Sequence, residues 1–113
     1  MNTSKEILEK LNRIEQLAES AFYSFTEENY DVEELTQLGA KTVAVEGYND
    51  VIDSIMDDSY GSAPIAVVIQ INDLFFKSQG EYTSYGANDF RPWFEVNKYL
   101  KKIIQVIYEP TSN

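Results

Sequence analysis

Residues 62–79 decide the fold of this chain, and they read SAPIAVVIQINDLFFKSQ. The β-branched residues at positions 65–71 are typical of a buried strand. The less apolar positions instead share one narrow stripe at helical spacing: Ala66, Gln70, Asp73 and Lys77. We expect the helical spacing to prevail, giving a helix over residues 64–79 that is buried around most of its circumference. A strand over residues 65–71 is the alternative.

The N-terminal residues predict a long amphipathic helix over residues 3–27. Thr3 and Glu6 have the spacing of a capping box, in which each side chain satisfies a backbone amide at the start of a helix. Apolar residues then recur at intervals of three and four: Ile7, Leu8, Leu11, Ile14, Leu17, Ala18, Ala21, Phe22 and Phe25. A seam of this length needs a partner surface, within the domain or on another subunit.

Two more helices are predicted from the remaining apolar patterns. One covers residues 32–58, with Asp31 as its cap and a break near Gly39. Inside it, the apolar residues of 42–46 alternate, which also fits a short strand. Residues 80–89 have the composition of a loop, and the last helix begins near Pro92 and stops before Pro110.

The four segments predict an all-α protein, a compact four-helix bundle-like domain over residues 1–113. An apolar fraction of 43% in 113 residues is enough for one core without a disulfide or a metal. Short strands near 42–46 and 65–71 would make the domain α+β instead.

The acidic residues are concentrated in one part of the chain. The net charge is −10, and residues 27–58 hold ten acids with Lys41 as their only base. Within that segment four acids have helical spacing: Glu46, Asp50, Asp53 and Asp57. Glu33 and Glu34 can add to a second row beside them. We expect these acids to dock on a basic partner; the alternative is a solvated face that keeps the protein soluble.

Two tyrosines of the polar loop are further candidates for partner contact. Tyr82 and Tyr85 lie between glycines, among Thr and Ser residues. Exposed loop tyrosines are frequent contact residues in interfaces. The alternative is that the loop folds its aromatic rings back over the core.

Composition excludes several classes of chemistry. The chain has no cysteine and no histidine, which rules out thiol chemistry, Cys/His zinc sites and histidine-dependent catalysis. The acids show no calcium-loop spacing, and no glycine-rich phosphate loop is present. We expect no enzyme activity, no catalytic residue, no cofactor and no bound metal.

The charge and the apolar runs also bear on location and partners. An acidic chain is poorly suited to direct binding of nucleic acid or of an anionic membrane. The longest apolar run is too short to cross a bilayer, and no secretory signal is visible, so we expect a cytoplasmic protein.

The sequence therefore predicts a non-enzymatic acidic binding protein. It would dock on a nucleic-acid-binding protein or nuclease and block it, as inhibitors, immunity proteins and DNA mimics of similar size and charge do. The alternative is a self-associating adaptor, scaffold or assembly chaperone of phage or bacterial origin. The N-terminal seam would then be an interface in a homo-oligomer.

Overall fold

The computed structural model describes residues 3–27, 31–47 and 62–98, in which helices pack on one face of an antiparallel sheet. The helices are α1 (Ser4–Leu11), α2 (Leu17–Thr26) and α3 (Glu33–Leu38); the strands are β1 (Ala40–Glu46), β2 (Ala63–Ile71), β3 (Leu74–Thr83), β4 (Gly86–Asn88) and β5 (Phe94–Val96). The order is β1-β2-β3, and both β4 and β5 pair with β3. The predicted four-helix bundle is wrong, and the α+β alternative fits.

Residues 62–79 form the hairpin of β2 and β3, so the predicted helix over 64–79 is wrong. Alternate residues of β2 face the helices, and Ile65, Val67 and Ile69 are at most 3% exposed. Asn72 and Asp73 make the two-residue turn, with a φ of 54° at Asn72, a left-handed conformation that asparagine tolerates. The strand prevails because β-branched side chains lose less rotamer freedom there and bury a full face.

The predicted N-terminal helix is interrupted between α1 and α2. Its start is as expected, since the Thr3 Oγ1 atom accepts a hydrogen bond from the Glu6 amide at 3.3 Å. The interruption ends at Gln16, whose φ of 61° is left-handed. No glycine or proline marks this point in the sequence. The change of direction lets both Leu11 and Leu17 be buried, at 0% and 2% exposure.

The predicted helix over residues 32–58 is wrong beyond Leu38. Its N-cap is Val32, without a side-chain hydrogen bond, and not Asp31. The expected break is confirmed, because Gly39 caps the C-terminus of α3 with a φ of 68°. The chain then enters β1, where a bulge between Thr42 and Ala44 shifts the register. Residues 48–58 lie outside the described residues.

The predicted loop and last helix also differ from the structure. Most of residues 80–89 belong to β3 and β4, which are joined by a tight turn at Ser84 and Tyr85. The helix predicted from Pro92 is wrong as far as Lys98, because Phe94–Val96 is β5 and pairs with β3. The remainder of that helix, from residue 99, lies outside the described residues.

Two long-range hydrogen bonds tie the helices to the C-terminal part of the described chain. The Trp93 amide donates to Oδ1 of Asn12 at 2.8 Å, and the Ala87 amide donates to the Tyr23 hydroxyl at 3.2 Å. The first bond fixes the C-terminus of α1, and the second fixes α2 over β4. Together these two bonds hold the helices against β4 and against the segment that precedes β5.

A buried hydroxyl joins α2 to β1 on the other side. Thr42 is 8% exposed, and its Oγ1 atom donates to the Ala21 carbonyl at 3.1 Å. The Ser24 hydroxyl donates to the same carbonyl at 2.8 Å and lies 3.1 Å from the Thr42 hydroxyl. These hydrogen bonds join α2 directly to β1.

We expect Thr42→Val to lower the free energy of unfolding by about 1–2 kcal/mol, because it removes a buried hydrogen bond while keeping the side-chain shape. The matched control is Thr36→Val on α3, an exposed residue whose hydroxyl donates to the Val32 carbonyl. Thr36→Val should change the free energy of unfolding by no more than about 0.5 kcal/mol. Urea unfolding followed by circular dichroism measures both, and equal losses would contradict the role given to Thr42.

Candidate functional site

The exposed acids of the described chain are concentrated where α2 ends and α3 begins. We call this set the acidic patch: Glu27, Asp31, Glu33 and Glu34. All four side chains are exposed. Across residues 3–27, 31–47 and 62–98 the one ion pair joins Lys77 to Glu46, so no described base neutralises the patch.

Part of the acidic patch also has a local structural role. Glu33 and Glu34 occupy the first turn of α3, where negative charge interacts favourably with the helix dipole. A carboxylate oxygen of Glu33 also accepts a hydrogen bond from the Gln37 side chain at 3.1 Å. These interactions help a six-residue helix that has no side-chain N-cap. They leave the carboxylates at the surface, where they remain accessible to a partner.

Glu46 lies apart from the acidic patch and in a different setting from the one predicted. It is the last residue of β1, so it does not begin a helical stripe with Asp50, Asp53 and Asp57. Those three residues lie outside the described residues. The Glu46 carboxylate pairs with the Lys77 ammonium at 2.5 Å, on the sheet face opposite the helices. Its charge is therefore offset within the chain, unlike those of Glu33 and Glu34.

The two candidate tyrosines have different surroundings. Tyr82 is half-buried on β3, with its ring centroid 5.9 Å from that of Phe22, and packs against the core. Tyr85 is 94% exposed in the turn between β3 and β4. The structure therefore leaves only Tyr85 with its whole side chain available for contact.

An exposed aromatic residue that sequence reasoning placed in the buried seam lies next to the acidic patch. Phe25 is 51% exposed in the last turn of α2, two residues before Glu27. Helical periodicity gives no sign of this exposure, because Phe25 falls on the same stripe as the buried Ala21 and Phe22. It combines a large apolar surface with the neighbouring carboxylates.

The described residues offer little for other kinds of site. No three acidic side chains within them come together in a way that could hold a metal ion. In the same part of the chain, no helix combines the length and the apolar character needed to cross a lipid bilayer. The surface does present the acidic patch with the apolar side chain of Phe25 near it, an arrangement suited to contact with another protein.

Substitution of each tyrosine distinguishes a core residue from an exposed one by its effect on stability. We expect Tyr82→Ala to lower the free energy of unfolding by about 2 kcal/mol, because it removes a half-buried ring from the core. Tyr85→Ala should change it by less than about 0.5 kcal/mol, because the ring touches almost nothing. Urea unfolding of the two variants checks this difference, and a comparable loss for Tyr85→Ala would show that the turn is packed.

Comparisons of the chain with protein-family models, with curated proteins and with solved structures give no match. What bears on the function is therefore the geometry of the surface. The feature that this geometry singles out is the acidic patch with Phe25 beside it.

Proposed function

We propose that this protein is a non-enzymatic binding protein that docks on a basic surface of a nucleic-acid-binding protein or nuclease and blocks it. The supporting observation is the acidic patch, in which four exposed carboxylates lie within eight residues and pair with no described base. Solubility alone does not require acids unmixed with lysine, and neighbouring like charges repel one another.

The acidic charge affects both the rate of association with a partner and the selectivity of binding. A net charge of −10 attracts a basic partner over a long range and raises the association rate at low salt. Once the surfaces meet, carboxylates that lose water to arginine or lysine side chains select that partner over a neutral one. A bound acidic surface then repels the phosphates of any nucleic acid that competes for the same site.

Phe25 supports the same proposal by supplying an apolar contact. Interfaces generally combine a desolvated aromatic centre with a polar rim, and the aromatic residues carry most of the binding energy. Phe25 is half-exposed and lies two residues from Glu27, so an aromatic side chain and a charged one are close together in the chain. Tyr85 offers a second exposed ring at the tip of the β3–β4 turn.

The self-associating scaffold is less well supported. That alternative depended on the N-terminal seam and on the apolar residues of 65–71 being free to contact other subunits. Within this chain the seam residues Leu11, Ala21 and Phe22 are at most 1% exposed, because they lie in one core with Ile65, Val67 and Ile69 of β2. The seam and this face of β2 are therefore buried inside the domain.

The proposal predicts that removing charge from the patch weakens binding. The wild-type chain and the double variant Glu33→Gln, Glu34→Gln serve as baits for affinity capture from a lysate of the source cell, with mass spectrometry of the captured proteins. We then expect the purified partner to bind the double variant about tenfold more weakly, since each lost carboxylate removes a charge-assisted contact. Isothermal titration calorimetry at two salt concentrations measures the change.

The matched control is Glu6→Gln, Glu9→Gln on α1, where Lys5 and Lys10 lie beside the acids. It removes the same charge from another exposed helix and should change the affinity by no more than twofold. Equal weakening by both double variants would show that the affinity depends on net charge and not on the position of the acids, which would contradict the role of the acidic patch. Capture of an acidic or neutral partner, held equally by wild type and variant, would contradict the proposal.

A further inference from the structure

The strand β1 lies at one end of the described sheet. One of its sides pairs with β2, and no strand of the described chain pairs with the other. The opposite end of the sheet consists of β4 and β5, which have three residues each, and the Ala87 amide of β4 already donates to the Tyr23 hydroxyl. Short edge strands resist pairing with another chain. The seven residues of β1 are therefore the longer edge that the described sheet offers for strand pairing.

The bulge in β1 makes the order of its side chains symmetric. Thr42 and Val45 lie on the helix side of the sheet, since the Thr42 hydroxyl donates to α2 and Val45 packs against the core. The other residues of 41–46 face away from the helices, since they, or the residue paired with them, line the other side of the sheet: Lys41, Val43, Ala44 and Glu46. From either end of the segment, the second residue faces the helices and the first and third face away from them.

This symmetric order restricts the kind of strand that can pair with β1. Directly opposite residues of an antiparallel pair lie on the same face of the sheet, and in a regular strand the face alternates at every residue. Thr42 and Val45 share a face although they are three positions apart. A regular strand that is in register with one of them is therefore out of register with the other. A strand with the same bulge fits both, and β1 of a second copy is such a strand.

The charges of β1 are complementary in the same register. When Thr42 lies opposite Val45 of a second copy, Lys41 lies opposite Glu46 of that copy, and the two-fold symmetry repeats this pair at the other end of the strand. Lys41 is exposed and has no ion pair with a described residue, and the Glu46 side chain is 55% exposed although it binds Lys77. A carboxylate can accept from two donors, so Glu46 can bind both lysines. Opposite charges directly across two strands stabilise their pairing.

We infer that two copies of this chain associate through β1, antiparallel about a two-fold axis, with Lys41 of each copy opposite Glu46 of the other. The association joins the two sheets into one and places both sets of helices on the same side of it. It uses the backbone and the charges of an edge strand, and the seam of α1 and α2 stays buried. The inference does not rest on the proposed function, because no residue of the acidic patch belongs to β1.

Analytical ultracentrifugation of the full chain measures this association. We expect the wild type to show a monomer–dimer equilibrium and Lys41→Glu to weaken it about tenfold, since like charges then lie opposite each other twice in the dimer. The matched control is Lys5→Glu on α1, an exposed lysine with the same change of charge, which should alter the dissociation constant by no more than twofold. A wild type that is monomeric at every concentration would overturn the inference, and so would equal weakening by the two variants.

A mixing experiment tests the register of the two strands. Glu46→Lys should also weaken its own dimer, because lysines then face each other at both ends of the strand pair. In a mixture of Lys41→Glu and Glu46→Lys chains, every charge faces an opposite one, so we expect the mixed dimer to form more tightly than either variant pairs with itself. A mixture of Lys5→Glu and Glu46→Lys chains is the control and should associate more weakly. If circular dichroism shows that the variants are folded and the first mixture gains no affinity, the pairing of Lys41 with Glu46 is wrong.

Discussion

The interaction on which the rest of this structure depends is the packing of α1 and α2 against one face of the sheet. Ile65, Val67 and Ile69 of β2 share one core with Leu11 and Phe22, and every one of these side chains is at most 3% exposed. Each such burial contributes about 1.5–3 kcal/mol. Because side chains alternate along a strand, this packing also fixes which residues of β2 form the opposite face.

Two separate surfaces follow from that arrangement. The helix layer presents the acidic patch and Phe25, whereas the other side of the sheet presents the Glu46–Lys77 ion pair. An ion pair of this kind near the surface contributes about 0–1 kcal/mol, so it adds little to the stability of the domain. The buried core is made of residues other than those proposed to bind, although Glu33 and Glu34 also support α3.

The sequence predicts some elements because the deciding interactions are local. The Thr3 cap and the end of α3 at Gly39 depend on neighbouring residues alone. The hairpin was ambiguous, because the β-branched residues of 65–71 indicate a strand whereas the less apolar positions have helical spacing. The Asn72–Asp73 turn adds a second local feature in favour of the strands. The left-handed Gln16 and the bulge after Thr42 have no local marker, since tertiary packing imposes them.

In the candidate site, too, some features can be predicted from the sequence and others cannot. The exposure of Glu33 and Glu34 follows from their charge and their place in the first turn of a short helix. The pairing of Glu46 with Lys77 could not be predicted, because it depends on the register of three strands. The exposure of Phe25 depends on where α2 ends relative to the sheet, which helical periodicity does not encode.

The hydrogen bond between Asn12 and Trp93 has a consequence for how the chain is made. These residues are 81 positions apart, so α1 emerges from the ribosome long before the residue that holds it in place. Until β2 and β3 follow, the apolar seam of α1 and α2 has no sheet to cover it. Such distant contacts slow folding, because a long loop must close before they form. A chaperone that binds exposed apolar side chains would therefore find the seam of α1 and α2 accessible until β2 and β3 have been synthesised.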